Sequence, residues 1–360
     1  MMYLREVIYD HCLSLLNKSA LPPKAITQGI DEQILKNEYF EKGLAGLPDD
    51  FVLYRIIGND LYPRHNKGQS RDNLLFILAN EPELDKCQKR WIVNRIVDPK
   101  EEEKIIAALE KHQQQYIRIP FDSNAYKCLG WAMETFPSAN YLRSKKFKKL
   151  SPELQMRAIV QTYRHKNNYV MNNNGARNAA LAEGRKTAKW VLPWDGNCFL
   201  TNAAWTAIVN KITNKPHFKY FIVPMTRVQD NRDLLTPDFR PEPTQEPQIV
   251  FRCDAGETFN EAWPYGRRPK VEMLWRLGVP GPWENWKKEP WDLPFPKHSP
   301  EAGQFAFAGW VARLFSGKAE MEENNQDSFF KRGPARIEAI INTLDEIDRQ
   351  LMNTEPDRHD

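Results

Sequence analysis

Three apolar runs separated by helical patterns constrain the fold of this chain more than any other feature. Phe51-Val-Leu-Tyr-Arg-Ile-Ile57 is almost continuously apolar, which predicts a strand covered on both faces. Beyond Ser70, the spacing of Asn73, Leu74, Leu75, Ile77 and Leu78 predicts a helix closed by Pro82. A second strand is expected over residues 90–97, a helix over 101–112 and a third strand over 116–119. This β-α-β-α-β alternation predicts a parallel sheet with right-handed crossovers. The loops that follow the strands, 58–71, 94–98 and 120–122, then gather at one rim, the place where open α/β sheets bind ligands. With 360 residues and 41% hydrophobic content, the chain can form one large α/β domain with appendages or two modest domains.

Residues 172–201 hold the second informative pattern. Asn174 is a candidate N-cap, residues 176–182 are rich in alanine and Gly184 is a stop signal. Small side chains at Ala176, Ala179 and Ala180 would let this helix lie close to a sheet. Residues 190–192 read as a buried strand that Pro193 is expected to end, leaving Asp195 on a turn at the strand's carboxyl end. Asp195 and Asn197 together offer oxygen ligands suited to Mg²⁺ or Mn²⁺, ions that take further oxygens from water and substrate phosphates. The same Asp195-Gly196-Asn197 is also a run of three good turn formers.

These residues resemble the nucleotide-sugar glycosyltransferases of the GT-A fold, family 2-like, in which an Ala-Arg-Asn helix precedes an apolar strand ending in an Asp-x-Asp metal motif. Here Gly175-Ala176-Arg177-Asn178-Ala179-Ala180-Leu181 supplies the first part and residues 191–197 the second. The resemblance implies a GT-A type, Rossmann-like α/β fold: a mixed, mostly parallel sheet flanked by helices. It implies that Asp195, with Asn197, holds a Mn²⁺ or Mg²⁺ ion bridging a nucleotide diphosphate, and that Arg177 and Asn178 lie near the nucleotide or donor sugar. Because the end of the first strand contacts the nucleotide in that family, Arg55, Asn59 and Asp60 join the expected donor site. The implied reaction moves a sugar from a UDP- or GDP-sugar to a saccharide or glycolipid acceptor; the alternative is an inactive sugar-binding or scaffolding protein. One departure is Asn197, which stands where the family has a second aspartate and offers only an uncharged ligand oxygen.

Further candidates come from the loops. After the first strand, Tyr62 is placed to stack on a base, Arg64, Lys67 or Arg71 to reach phosphates, and His65 to donate to a phosphate; Asn94, in the rim segment 94–98, is a further candidate for the nucleotide or donor. Residues 58–71 contain only Gly58 and Gly68, too few glycines for a phosphate-cradling loop, which disfavours nucleotidyltransferases, P-loop kinases and dinucleotide dehydrogenases. Sugar transfer with inversion needs a carboxylate to take the acceptor proton and positive charge on the leaving diphosphate. Asp254, at the end of a strand over 248–252, and Glu284, in a stretch loosely like the acidic acceptor-site motif of GT-A enzymes, are the preferred bases, with Glu257, Glu289 and Asp292 behind them. Arg267, Arg268 and Lys270 are candidates for the diphosphate. Trp263, Trp275, Trp283, Trp286 and Trp291 suggest an aromatic groove for sugar, although tryptophan also fills cores.

The expected organisation is a helical N-terminal extension over 1–48, a catalytic domain over 49–300 with nucleotide-binding (49–200) and acceptor (201–300) halves, and a helical C-terminal extension over 301–360. Within it, a helix is expected over 203–211, a strand over 219–224 and a hairpin or loop over the proline-rich 238–247. The apolar spacing of 334–352 predicts an amphipathic helix. Five widely spaced cysteines without a Cys-x-x-Cys pair suggest a reducing compartment. The first 16 residues lack an uninterrupted signal-peptide core, and no apolar run approaches the ~20 residues of a membrane span, so a cytoplasmic location is expected. A net charge of +4 does not point to nucleic acid. Residues 143–149, five positive charges around Phe147, are either a solvated loop or a peripheral contact with anionic lipid.

Overall fold

The computed structural model describes residues 21–26, 30–133, 137–286, 288–315 and 326–353. The first part of the chain forms α1 (Glu32–Glu41), β1 (Phe51–Ile57), α2 (Gln69–Asn80), β2 (Cys87–Asn94), α3 (Pro99–Lys111) and β3 (Gln115–Ile119). Helices α4 (Ser123–Lys127), α5 (Ala139–Arg143), α6 (Lys145–Lys148), α7 (Pro152–Thr162), α8 (Arg164–Met171) and α9 (Asn173–Gly184) follow. Then come β4 (Trp190–Asp195), β5 (Cys198–Phe199), α10 (Asn202–Asn214), β6 (Tyr220–Arg227), β7 (Gln245–Arg252) and α11 (Val271–Leu277). Strands β8 (Phe305–Phe307) and β9 (Val311–Arg313) and helix α12 (Gln326–Asn353) complete the order.

The alternation of apolar runs produces the parallel unit expected from it. β1 pairs in parallel with β2 on one side and β4 on the other, and β2 pairs in parallel with β3. The sheet continues as β3-β2-β1-β4-β7-β6-β9-β5, with β8 on β6. β7 is antiparallel to both β4 and β6, so the sheet is mixed and mostly parallel. Residues 51–54 of β1 are fully buried. Val52 and Tyr54 face a cluster with Ala176, Ala180 and Trp275, while Phe51 and Leu53 face one with Trp190, Trp205 and Phe221, as the two-residue period of a strand requires.

The alanines of α9 meet the expectation of close packing. A Cβ on Gly184 would lie 2.5 Å from Val191 Cγ1 and 3.1 Å from Val52 Cγ1, so only hydrogen fits between this helix and the sheet. Three local expectations are corrected. Asn174 is not the cap: α8 and α9 are separated by Asn172 in a left-handed conformation (φ 42°), a state asparagine tolerates, and its side chain donates to Asn94 Oδ1 at 2.8 Å. Pro193 does not end β4, because β7 accompanies β4 only at Trp190 and Val191 and the proline lies where that ladder has stopped. The expected boundary at 300 cuts the sheet, since β8 and β9 both pair with β6.

Helices α1 and α12 of the expected extensions pack on this core, whereas the start of the expected C-terminal helical extension forms β8 and β9 instead. Leu35 of α1 joins the cluster of Phe51 and Trp190; residues 1–20 of the expected N-terminal extension lie outside the described residues. α12 buries Ala339, Ile340, Leu344 and Ile347 against Tyr126, Val160 and Val170, which accounts for its apolar spacing. In the basic segment, Phe147 is turned inward beside Ala158 and Trp291, leaving its lysines exposed. No described helix is long and apolar enough to cross a membrane.

Arg55, expected at a nucleotide, is fully buried. Its Nε donates to the Cys198 carbonyl at 2.8 Å and its guanidinium pairs with Glu81, whose carboxylate also accepts from Leu200 N at 2.9 Å. This ion pair ties β1 and α2 to the β4–β5 turn. Removing one partner of a buried ion pair costs up to roughly 3–5 kcal/mol, and Lys89, 3.7 Å from the other Glu81 oxygen, is the cation that would remain. Arg55→Ala is therefore expected to lower stability in urea denaturation by that order; an unchanged midpoint would show that the pair is dispensable.

Candidate functional site

A cavity of about 1200 Å³ opens at the carboxyl ends of β1 and β4. Its formation depends on Gly196. A Cβ there would stand 2.4 Å from the Ile56 carbonyl oxygen, so glycine alone lets the turn after β4 settle on the end of β1. That settling brings Asp195 beside the loop of Gly58 to Leu61, all of which line the cavity.

Asp195 is held from three directions. Its Oδ1 accepts from Arg177 Nη2 of α9 at 2.6 Å, and its Oδ2 accepts from Gln248 Nε2 of β7 at 2.9 Å and from Lys270 Nζ at 3.3 Å. Burial alone would raise its pKa, but Lys270 and Arg177, with the hydrogen bonds of Gln248 and Arg177, hold the carboxyl well below 3.8. The remaining contacts fix Arg177 itself: its Nη1 donates to Asn174 Oδ1 at 2.8 Å, and Asn174 Nδ2 donates to the carbonyls of Asn260 and Pro269.

The divalent ion implied by the resemblance does not fit these residues. Both oxygens of Asp195 already accept from cations, which repel a second positive centre, and Asn197 adds no charge. The Asn197 backbone carbonyl accepts from Leu314 N at 2.9 Å, which joins the turn after β4 to the end of β9. Among the described residues, no group of three or more His, Cys, Asp or Glu is placed to hold a metal.

Of the expected donor-site residues, Asn59, Asp60, Asn94 and Arg177 line the cavity. Asn59 donates to the Arg95 carbonyl at 2.8 Å and accepts from Val97 N at 2.9 Å, fixing the loop after β2 against the end of β1. Asp60 accepts from Ser70 N at 3.0 Å and Ser70 Oγ at 2.7 Å, while burial pushes its carboxyl up. Asn94 Nδ2 donates to the Met171 carbonyl at 2.8 Å. Three others lie elsewhere. Besides Arg55, Arg71 pairs with Glu101 at 2.8 Å, and Asn178 clamps residues 259–261 by donating to the Phe259 carbonyl and accepting from Phe259 N.

Neither preferred base lines the cavity. β7 is antiparallel, so Arg252 pairs with Trp190 at the start of β4 and Asp254 lies at the opposite end of the sheet, bound to Arg252 at 2.5 Å and Lys42 at 3.4 Å. Glu284 accepts from Gly281 N at 2.9 Å and Ala25 N at 3.1 Å, a turn-capping role. Glu257 is bound by Arg276 and Ser299; Glu289 and Asp292 neutralise Arg157 and Arg267. Sequence reasoning missed three carboxylates that line the cavity, Glu153, Glu242 and Glu246; of these Glu246, its side chain 39% exposed, has its Oε1 3.4 Å from Lys270 Nζ beside Asp195. The signal was the possible hairpin over 238–247: a hairpin makes β7 antiparallel and turns its amino end, not Asp254, toward this rim.

The rest of the lining is strongly basic. Over the whole lining nine Arg and Lys side chains face five Asp and Glu, and two of the nine, Arg157 and Arg267, are neutralised from behind by Glu289 and Asp292. Trp283 and Trp286 of the five clustered tryptophans also line it, with Arg268 stacked 3.9 Å over the Trp286 ring; Trp263, Trp275 and Trp291 are buried in packing. His65 accepts from Leu61 N at 3.4 Å, and burial together with Arg64, Arg313 and Arg336 holds its pKa down to about 3. No protein-family model matches the chain, and no curated protein matches it significantly.

The depressed pKa of Asp195 makes its stabilisation complete above the unfolded value of 3.8 and lost as pH falls below it. Asp195→Asn is expected to destabilise the chain at pH 7 by roughly 1–3 kcal/mol, the difference from wild type narrowing as pH drops below about 4. Urea denaturation at several pH values measures this; a gap independent of pH would contradict the electrostatic role.

Proposed function

We propose that this chain is a GT-A type glycosyltransferase that takes a nucleotide diphosphate sugar into this cavity and passes the sugar to a saccharide or lipid-linked acceptor. The observation that carries the reading is the net positive lining, Arg313 and Arg336 included, of a cavity at the carboxyl ends of β1 and β4, where departure of a nucleotide diphosphate needs stabilisation. Asn59, Asp60 and Asn94 supply polar groups for the nucleoside near the end of β1. Trp286, half-buried at the cavity wall beside Arg268, offers apolar surface suited to sugar C–H groups, while Trp283 is buried in the core beneath it. The mixed sheet supports the GT-A part of the reading.

Catalysis needs a carboxylate within reach of the acceptor hydroxyl, and Glu246 takes that role in place of Asp254 and Glu284. Lys270 Nζ, 3.4 Å from its Oε1, holds the carboxylate at the cavity wall. A second reading, sugar binding without turnover, is favoured by the engagement of Asp254 and Glu284 in contacts outside the cavity.

The two readings separate in an assay of nucleotide release from a panel of UDP- and GDP-sugars with saccharide and glycolipid acceptors. Glycosyl transfer is expected from wild type, and Glu246→Gln is expected to lower turnover by about 10²–10⁴-fold with donor affinity retained. Donor binding without transfer to any acceptor would favour the non-catalytic reading, and absence of donor binding would contradict both.

A further inference from the structure

Three arginines from separate parts of the chain converge at one end of the cavity: Arg64 from the loop after β1, Arg313 from β9 and Arg336 from α12. Between them lie His65 and Tyr265. The Arg336 guanidinium stands 5.8 Å from the Tyr265 ring centroid, and its Nε is buried without a hydrogen-bond partner among the described residues. At Gly266 the backbone runs close to α12: a Cβ there would lie 3.1 Å from Ile340 Cδ1 and 3.5 Å from Arg336 Cδ. Neither Arg313 nor Arg336 forms an ion pair with a carboxylate among the described residues, in contrast to Arg177, Arg267 and Lys270.

Like charges held together in a partly buried place are unfavourable unless an anion joins them. Two neighbouring side chains register the field. Burial would raise the Tyr265 pKa, yet Arg64, Arg336 and Arg313 bring it below its usual 10. The same three arginines act with burial on His65, keeping it neutral. Guanidinium groups suit phosphate oxygens because their planar donors bind in pairs. Arginine forks in place of a metal ion would neutralise a diphosphate directly, while Asp195, bonded by Arg177, Gln248 and Lys270, stays a brace of the cavity.

We infer that Arg313 and Arg336, with Arg64, form a diphosphate site that works without a divalent cation. The nucleoside part of this ligand rests on the proposed function; the anion site itself does not.

Calorimetric titration of the full chain with UDP, GDP and inorganic pyrophosphate, each in EDTA and then in excess Mn²⁺, tests it. Binding is expected in EDTA, with Mn²⁺ changing the dissociation constant by less than about threefold, a small step on the affinity scale. Arg313→Gln and Arg336→Gln should each weaken binding about 10-fold or more while leaving the urea midpoint unchanged or higher, since each relieves repulsion. Nucleotide binding only with Mn²⁺ would overturn the inference and leave the proposed function standing. Pyrophosphate binding in EDTA without UDP or GDP binding would support the anion site and remove the nucleotide-sugar reading. Absence of any binding in EDTA, or full affinity in both variants, would overturn the inference.

Discussion

The carboxylate of Asp195 is the point on which the cavity depends. Through Arg177 it holds α9, through Gln248 it holds β7 and through Lys270 it holds the segment before α11. Gly196 then lets the turn lie against the end of β1. A charge held this way is ionised and geometrically fixed, and it compensates two of the cations that would otherwise repel one another across the cavity floor. The same saturation sets the chemistry: an aspartate surrounded by Arg and Lys organises a basic site for an anion and is poorly suited to a metal ion.

Charge separation along the cavity follows from this arrangement. Near Asp195 and Glu246 positive and negative groups alternate, with Lys270 shared between the two carboxylates. At the other end Arg313 and Arg336 stand without carboxylate partners among the described residues. Such a gradient suits a ligand whose anionic part lies at that end and whose neutral part extends along the cavity toward Asp195, as the proposed donor would.

Much of the architecture was legible in local patterns. The apolar continuity of β1, the helical spacing of α2 and the small residues of α9 each act within a few turns of chain, so their elements and the parallel order could be read from sequence. The sites that depended on chain direction were harder. Asp254 ends a strand as expected, but β7 runs backward, so the same strand presents Glu246 and Gln248 to the cavity instead. Arg55 was assigned to the donor site through the resemblance, and its partner Glu81 lies 26 residues away at the end of α2, a pairing that no local periodicity reports. Arg336 and Arg313 were invisible for a similar reason: the chain past residue 300 returns to the sheet through β8 and β9, and α12 then crosses back to the cavity.

The most direct test of the central claim is a crystal structure of the chain with a bound nucleotide diphosphate sugar in the presence of Mn²⁺. The account predicts the diphosphate between Arg313 and Arg336, with Asp195 still bonded to Arg177, Gln248 and Lys270 and no ion on its oxygens. A metal ion bridging Asp195 to the diphosphate, or a nucleotide bound outside this cavity, would contradict it.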